Sequence, residues 1–100
     1  MFVFEDLINL DDRNLQEVLK EVSKEQLTVA LKAAKDEIKD KFFKNMSQRA
    51  VDLLKEDIDS LGPVKLSEVE KNQQAILKIV QRLSQEGKIV IAKGGGEVFV

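Results

Sequence analysis

Four times in 100 residues this chain sets a serine or an aspartate just ahead of an apolar run with helical spacing, at Asp11, Ser23, Ser47 and Ser67. That punctuation constrains the fold more than any other feature, because a side-chain oxygen there serves the N–H groups that every helix start leaves unpaired. After Asp11, the residues Leu15, Val18, Leu19 and Val22 follow the i, i+3, i+4, i+7 rule, and Leu10 can staple to Leu15 across the cap. Ser23 with Gln26 forms a capping box, flanked by a Val22–Leu27 staple, and its helix carries Leu27, Ala30, Leu31 and Ala34. Ile38, Phe42 and Met46 recur every four residues with Phe43 beside them. Ser47 caps the next helix, with Met46 stapled to Val51, and Gly62-Pro63 stops it near Leu61. Ser67 with Glu70 reads as another capping box, opening the longest helix, which presents Val69, Ile76, Leu77, Val80 and Leu83 and ends at Gly87. From Lys88 to Ala92 the residues become β-branched, and Gly94-Gly95-Gly96 separates them from Glu97-Val98-Phe99-Val100, so a short hairpin or a tail both fit.

The expected fold is therefore all-α: a compact bundle or superhelix of five or six short helices, counting a short one before Asp11. Short links make neighbouring helices pack together, and the length suits one domain with one core. Composition narrows the function. There is no histidine and no cysteine, which removes Ser-His triads, thiol chemistry and the common zinc sites. The triple glycine does not open a helix, so it makes a poor phosphate loop. No enzyme and no cofactor are expected. A net charge of −2 gives no footprint for nucleic acid. No apolar run approaches the roughly 18 residues of a membrane span, so no direct membrane insertion is expected. The N-terminus lacks the basic flank of a signal peptide, and the missing cysteines fit a reducing compartment.

The helix that follows Ser47, the fifth by this count, carries an unusual charge pattern. Stepping about 100° per residue from Arg49, Ala50, Val51, Leu54, Ile58 and Leu61 fall in an apolar stripe between about 100° and 200°. Arg49, Asp52, Lys55, Glu56 and Asp59 fill the other side, Asp57 sits at its edge, and Leu53 falls among the charges. A charged face is ordinary for a solvated helix. Here, however, Glu56, Asp57 and Asp59 crowd the C-terminal turns, where acids oppose the macrodipole. Asp52 and Glu56 also form a like-charge i, i+4 pair. The result is a mixed-sign ridge, acidic in the middle and basic at both ends through Arg49 and Lys65, which suits recognition of an equally mixed partner.

The chain resembles the C-terminal domain family of the bacterial flagellar motor switch protein FliG. The resemblance rests on Met1-Phe2-Val3-Phe4-Glu5-Asp6-Leu7, Asp11-Asp12-Arg13, Ala30-Leu31-Lys32, Asn45-Met46-Ser47-Gln48-Arg49-Ala50 and Gly62-Pro63-Val64-Lys65-Leu66-Ser67. It continues in Gln74-Ala75-Ile76-Leu77 and Ile79-Val80-Gln81-Arg82-Leu83, and it is weakest after Lys93. The resemblance implies a torque-generating rotor domain spanning residues 5–100, with Met1, Phe2, Val3 and Phe4 as a hinge from a preceding armadillo-like domain. Met1, Phe2 and Phe4 would then pack on that neighbour. It implies stator contact through Lys32, Arg49, Glu56, Asp57 and Lys65, and a role in rotation switching. The implied partners are the cytoplasmic loop of the stator protein MotA, the other FliG domains and the switch-complex subunit FliM. The implied location is the switch complex of the flagellar basal body, on the cytoplasmic face of the inner membrane. The family usually has Asp where Glu56 stands and Arg where Lys65 stands; both changes keep the sign, though Lys lacks the bidentate geometry of Arg. Ala33 replaces a usual Gly and suits a helix better.

One rival comes from the residues themselves. Asp57, Asp59, Gly62 and Glu68 match calcium-loop positions 1, 3, 6 and 12, between two helices. Leu61, at position 5, offers no side-chain oxygen, and Lys65, at position 9, puts a cation where an oxygen ligand or its water should be. The alternative is a small helical EF-hand-like module.

Overall fold

The computed structural model describes residues 3–91. A 3-10 turn, Phe4–Asn9, leads into α1 (Asp12–Glu21), α2 (Lys24–Lys32), α3 (Asp36–Phe43), α4 (Gln48–Leu61) and α5 (Leu66–Gln85). The described residues are all-α, with no strand among them. The suggested C-terminal hairpin falls mainly on residues 92–100, outside the described residues.

Three of the four expected caps are formed. Asp11 accepts the Asn14 N–H at 2.7 Å, and Ser47 accepts the Ala50 N–H at 3.2 Å. Ser23 and Gln26 close a reciprocal box, each side chain accepting the other's backbone N–H at 3.1 Å. The fourth expectation is corrected. α5 begins at Leu66 behind Lys65, which makes no side-chain cap bond. The Lys65 carbonyl accepts the N–H groups of Glu68 and Val69, at 3.0 and 3.2 Å. The first turn thus closes before Ser67, which lies inside the helix and lacks the extended backbone that a cap requires. The other end of α5 follows its glycine. Gly87 takes φ 76°, its N–H reaches the Ser84 carbonyl at 3.0 Å, and the Lys88 N–H reaches the Leu83 carbonyl at 2.9 Å. This is the Schellman pair of bonds. It turns the chain so that Ile89 is buried and the Val90 carbonyl accepts from Asn14 Nδ2 at 2.9 Å.

α2 is the central helix. Its Ala30 and Leu31 are fully buried, and it packs against both α4 and α5. The 3-10 turn packs on α3 and α5, and α1 on α5. The core joins Leu7, Leu15, Val18, Leu31, Phe42, Ile76, Val80 and Leu83. Phe4 belongs to this core. It is 4% exposed and stacks on Phe42 with ring centroids 6.1 Å apart. The expectation that Phe4 packs on a neighbouring domain is therefore corrected, because the 3-10 turn swings its ring inward onto α3. Val3 just before it is exposed, and Met1 and Phe2 lie outside the described residues.

Candidate functional site: the α4 ridge

α4 buries Val51, Leu54 and Ile58 and exposes most of its remaining surface. Leu61, placed in the apolar stripe by periodicity, is 37% exposed, because it ends the helix beyond the reach of the core. Leu53 stands 44% exposed among the charges, as its angular position requires. It is flanked at i−4, i+3 and i+4 by Arg49, Glu56 and Asp57.

The five candidate residues fall into two groups. Arg49, Glu56 and Lys65 are exposed and make no ion pair among the described residues. Arg49 and Glu56 lie on one side of α4, about 10 Å apart along the axis. Lys65 sits beyond its end, in the link to α5. Asp57 and Lys32 are half-buried and already engaged. Asp57 pairs with Lys24 of α2 at 3.0 Å, and Lys32 Nζ donates to the Ile58 carbonyl at 3.3 Å. The other charges of α4 are partly committed as well. Asp52 accepts from Gln48 Nε2 at 2.9 Å, and the Lys55 ammonium lies 5.3 Å from the centre of the Phe43 ring. Lys55 therefore leans toward α3, away from Arg49 and Glu56.

The sequence did not single out Lys24. Its pairing with Asp57 spans two helices, and no local spacing signals it. Two hollows lie along the seam between α2 and α4, and Lys24 lines both. One, of about 570 Å³, includes Asp57, Ser60 and Leu61; the other, of about 350 Å³, includes Leu19, Val22, Met46, Ala50 and Leu53.

The calcium reading fails on geometry. Asp57 and Asp59 lie within continuous α-helix to Leu61, about 200° apart around its axis, where a calcium loop needs them converging. Asp57 is also taken by Lys24. Among the described residues no cluster of three acids is placed to hold a metal ion, and no helix is long and apolar enough to cross a membrane.

The perturbed carboxyls lie away from the ridge. Asp12 is held below its ordinary value by the Asn45 side-chain hydrogen bond and by Lys41. This ties the start of α1 to the end of α3, with Lys41 Nζ and Asn45 Nδ2 both 3.1 Å from the same carboxyl oxygen. Glu17 is lowered by its hydrogen bond from Lys20.

Comparison with known proteins places these features in a family. The pattern of the FliG C-terminal domain matches residues 1–91. The flagellar motor switch protein FliG of Thermotoga maritima is 55% identical over 100 residues, which is 100% of this chain and 30% of that protein. FliG of Bacillus subtilis is 47% identical over 100 residues, again 100% of this chain and 30% of that protein. The chain thus spans under a third of the curated relatives it matches. A crystal structure of a FliG fragment from H. pylori superposes with a TM-score of 0.89 at 41% identity, covering 91% of this chain and 40% of that one. Full-length FliG from Aquifex aeolicus superposes at 0.84 and 48% identity, over 87% of this chain and 27% of that one.

Proposed function

This chain belongs to the FliG C-terminal domain family, and on that premise we propose that it is the torque-bearing rotor domain of a bacterial flagellar motor switch. Its α4 ridge meets the stator electrostatically, through a cytoplasmic loop of MotA. The domain works within the switch complex at the cytoplasmic face of the inner membrane, beside the other FliG domains and FliM. Met1, Phe2 and Val3 form the connection from the preceding domain, and Phe4 anchors that connection in this core.

One observation carries the reading. Arg49 and Glu56 stand on one side of α4 with opposite charge, exposed and without an ion pair among the described residues, although folding would be served by pairing or neutralising them. Exposed charges of this kind are worth only about 0–1 kcal/mol each in a complex. Several together still steer and orient an encounter. A motor needs contacts that form and release repeatedly, and weak, oriented charge pairs meet that need. Lys65 extends the pattern past the helix end with a second cation.

The reading is tested in motile cells whose only copy carries the variant. Neutralising Arg49 or Glu56 singly should reduce swimming speed only partly, and reversing Arg49 should reduce it more, at unchanged protein level. Reversal of both residues without effect on motility would sink the reading.

A further inference from the structure

α4 cannot complete its own C-terminus. Its last turn carries no basic residue, and the Gly62 N–H makes no cap bond among the described residues. Pro63 has no N–H to offer. Carbonyls left open at a helix end need partners from elsewhere, and the acids at 56, 57 and 59 make the end more negative still.

α2 supplies what is missing. Lys32, at its C-terminal end, donates to the Ile58 carbonyl at 3.3 Å. Lys24, at its N-terminal end, pairs with Asp57 at 3.0 Å. The two lysines leave α2 eight residues apart, about 12 Å along its axis, yet converge on adjacent residues of α4. The buried Val51, Leu54 and Ile58 already seat α4, and two long side chains closing on one turn from separated roots add two polar restraints on how its last turn lies.

We propose that Lys24 and Lys32 form a two-point clamp by which α2 sets the attitude of the α4 ridge. Both are positioning residues. Lys32 acts through the Ile58 carbonyl rather than by touching a partner, and Lys24 also sets how much of the Asp57 charge is offered outward. The consequence for torque rests on the function proposed above; the clamp itself does not.

The test uses the purified chain without any stator. Urea unfolding of Lys24→Met, Asp57→Asn and the double variant should be non-additive by roughly 1.5- to 5-fold in the unfolding constant, the range for a partly exposed pair. Amide hydrogen exchange in the last turn of α4 should speed up roughly fivefold or more in Lys32→Met, since a bond from a charged donor is lost. Lys32→Arg should restore it, because Arg keeps both charge and donors. Broadening of the Leu53–Leu61 amide signals by a cationic nitroxide, relative to an anionic one, should rise about twofold in Lys24→Met as the Asp57 charge is uncovered. An additive cycle, unchanged exchange in Lys32→Met, failure of Lys32→Arg to restore it, or an unchanged nitroxide ratio each overturns the clamp. A motor indifferent to Arg49 and Glu56 would overturn the torque reading and leave these four readouts as they are.

Discussion

Replacing Gly62 with L-alanine should weaken the fold through its backbone alone. Gly62 takes φ 67° and ψ −163°, and a Cβ built there meets nothing within 4 Å. The space is open, so any cost comes from conformation. This region is essentially restricted to glycine, and holding another L-residue in it costs on the order of 1–3 kcal/mol. Alanine recovers about 0.4–1 kcal/mol by restricting the unfolded chain. Central values of about 2 kcal/mol of strain and about 0.7 kcal/mol recovered leave a net loss of about 1.3 kcal/mol, or roughly 5–10 °C in Tm for a domain of this size. D-alanine inverts the argument. The mirror image of the Gly62 conformation is the extended polyproline region, which is unstrained for a residue with a side chain. A chain assembled by chemical ligation with D-alanine at position 62 should therefore equal the parent or exceed it by up to about 1 kcal/mol. The assay is urea unfolding of all three chains, with the slope of the transition held constant as a check that only stability has changed. An L-alanine chain within about 0.5 kcal/mol of the parent, or a D-alanine chain as weak as the L-alanine one, would refute the reasoning.

Two further outcomes are expected. Glu56→Gln combined with Asp59→Asn should leave the domain as stable or raise its stability by up to about 1 kcal/mol, because both acids oppose the α4 macrodipole. The gain should shrink in 1 M salt, and a loss well above about 1 kcal/mol on urea unfolding would make the ridge structural instead. Asp12→Asn should destabilise at neutral pH, with a gap to the parent that closes on acidification. The folded Asp12 carboxyl lies below its ordinary value of 3.8, so its contribution is complete above that value and disappears as pH falls through the lowered one. A gap that widens as the pH drops below 4 would contradict this.

Much of the fold was legible because its signals are local. Asp11, Ser23 and Ser47 cap as their spacing says, since a cap involves only residues within one turn. Gly62 and Gly87 end their helices at positive φ for the same reason. Ser67 misled because its capping pattern lies only two residues inside a start that the backbone makes at Lys65. Phe4 misled because a short apolar run at a chain end looks alike whether it packs backward on its own core or forward on a neighbour; only the 3-10 turn decides. The ridge was visible in the angular order of α4, including the exposed Leu53. Which of its charges are already engaged was not, because Lys24 and Lys32 reach α4 from 33 and 26 residues away in sequence. Helical periodicity states which way a side chain points; it carries nothing about which helix lies opposite.

The central claim is that Arg49 meets an opposing charge on the stator, and a charge swap in motile cells tests it most directly. Arg49→Glu should impair motility, as should reversal of an acidic residue in the stator loop. The two together should restore motility beyond either single variant, because the pair is rebuilt with its signs exchanged. Strictly additive loss for every acidic position of the loop paired with Arg49→Glu would contradict the account.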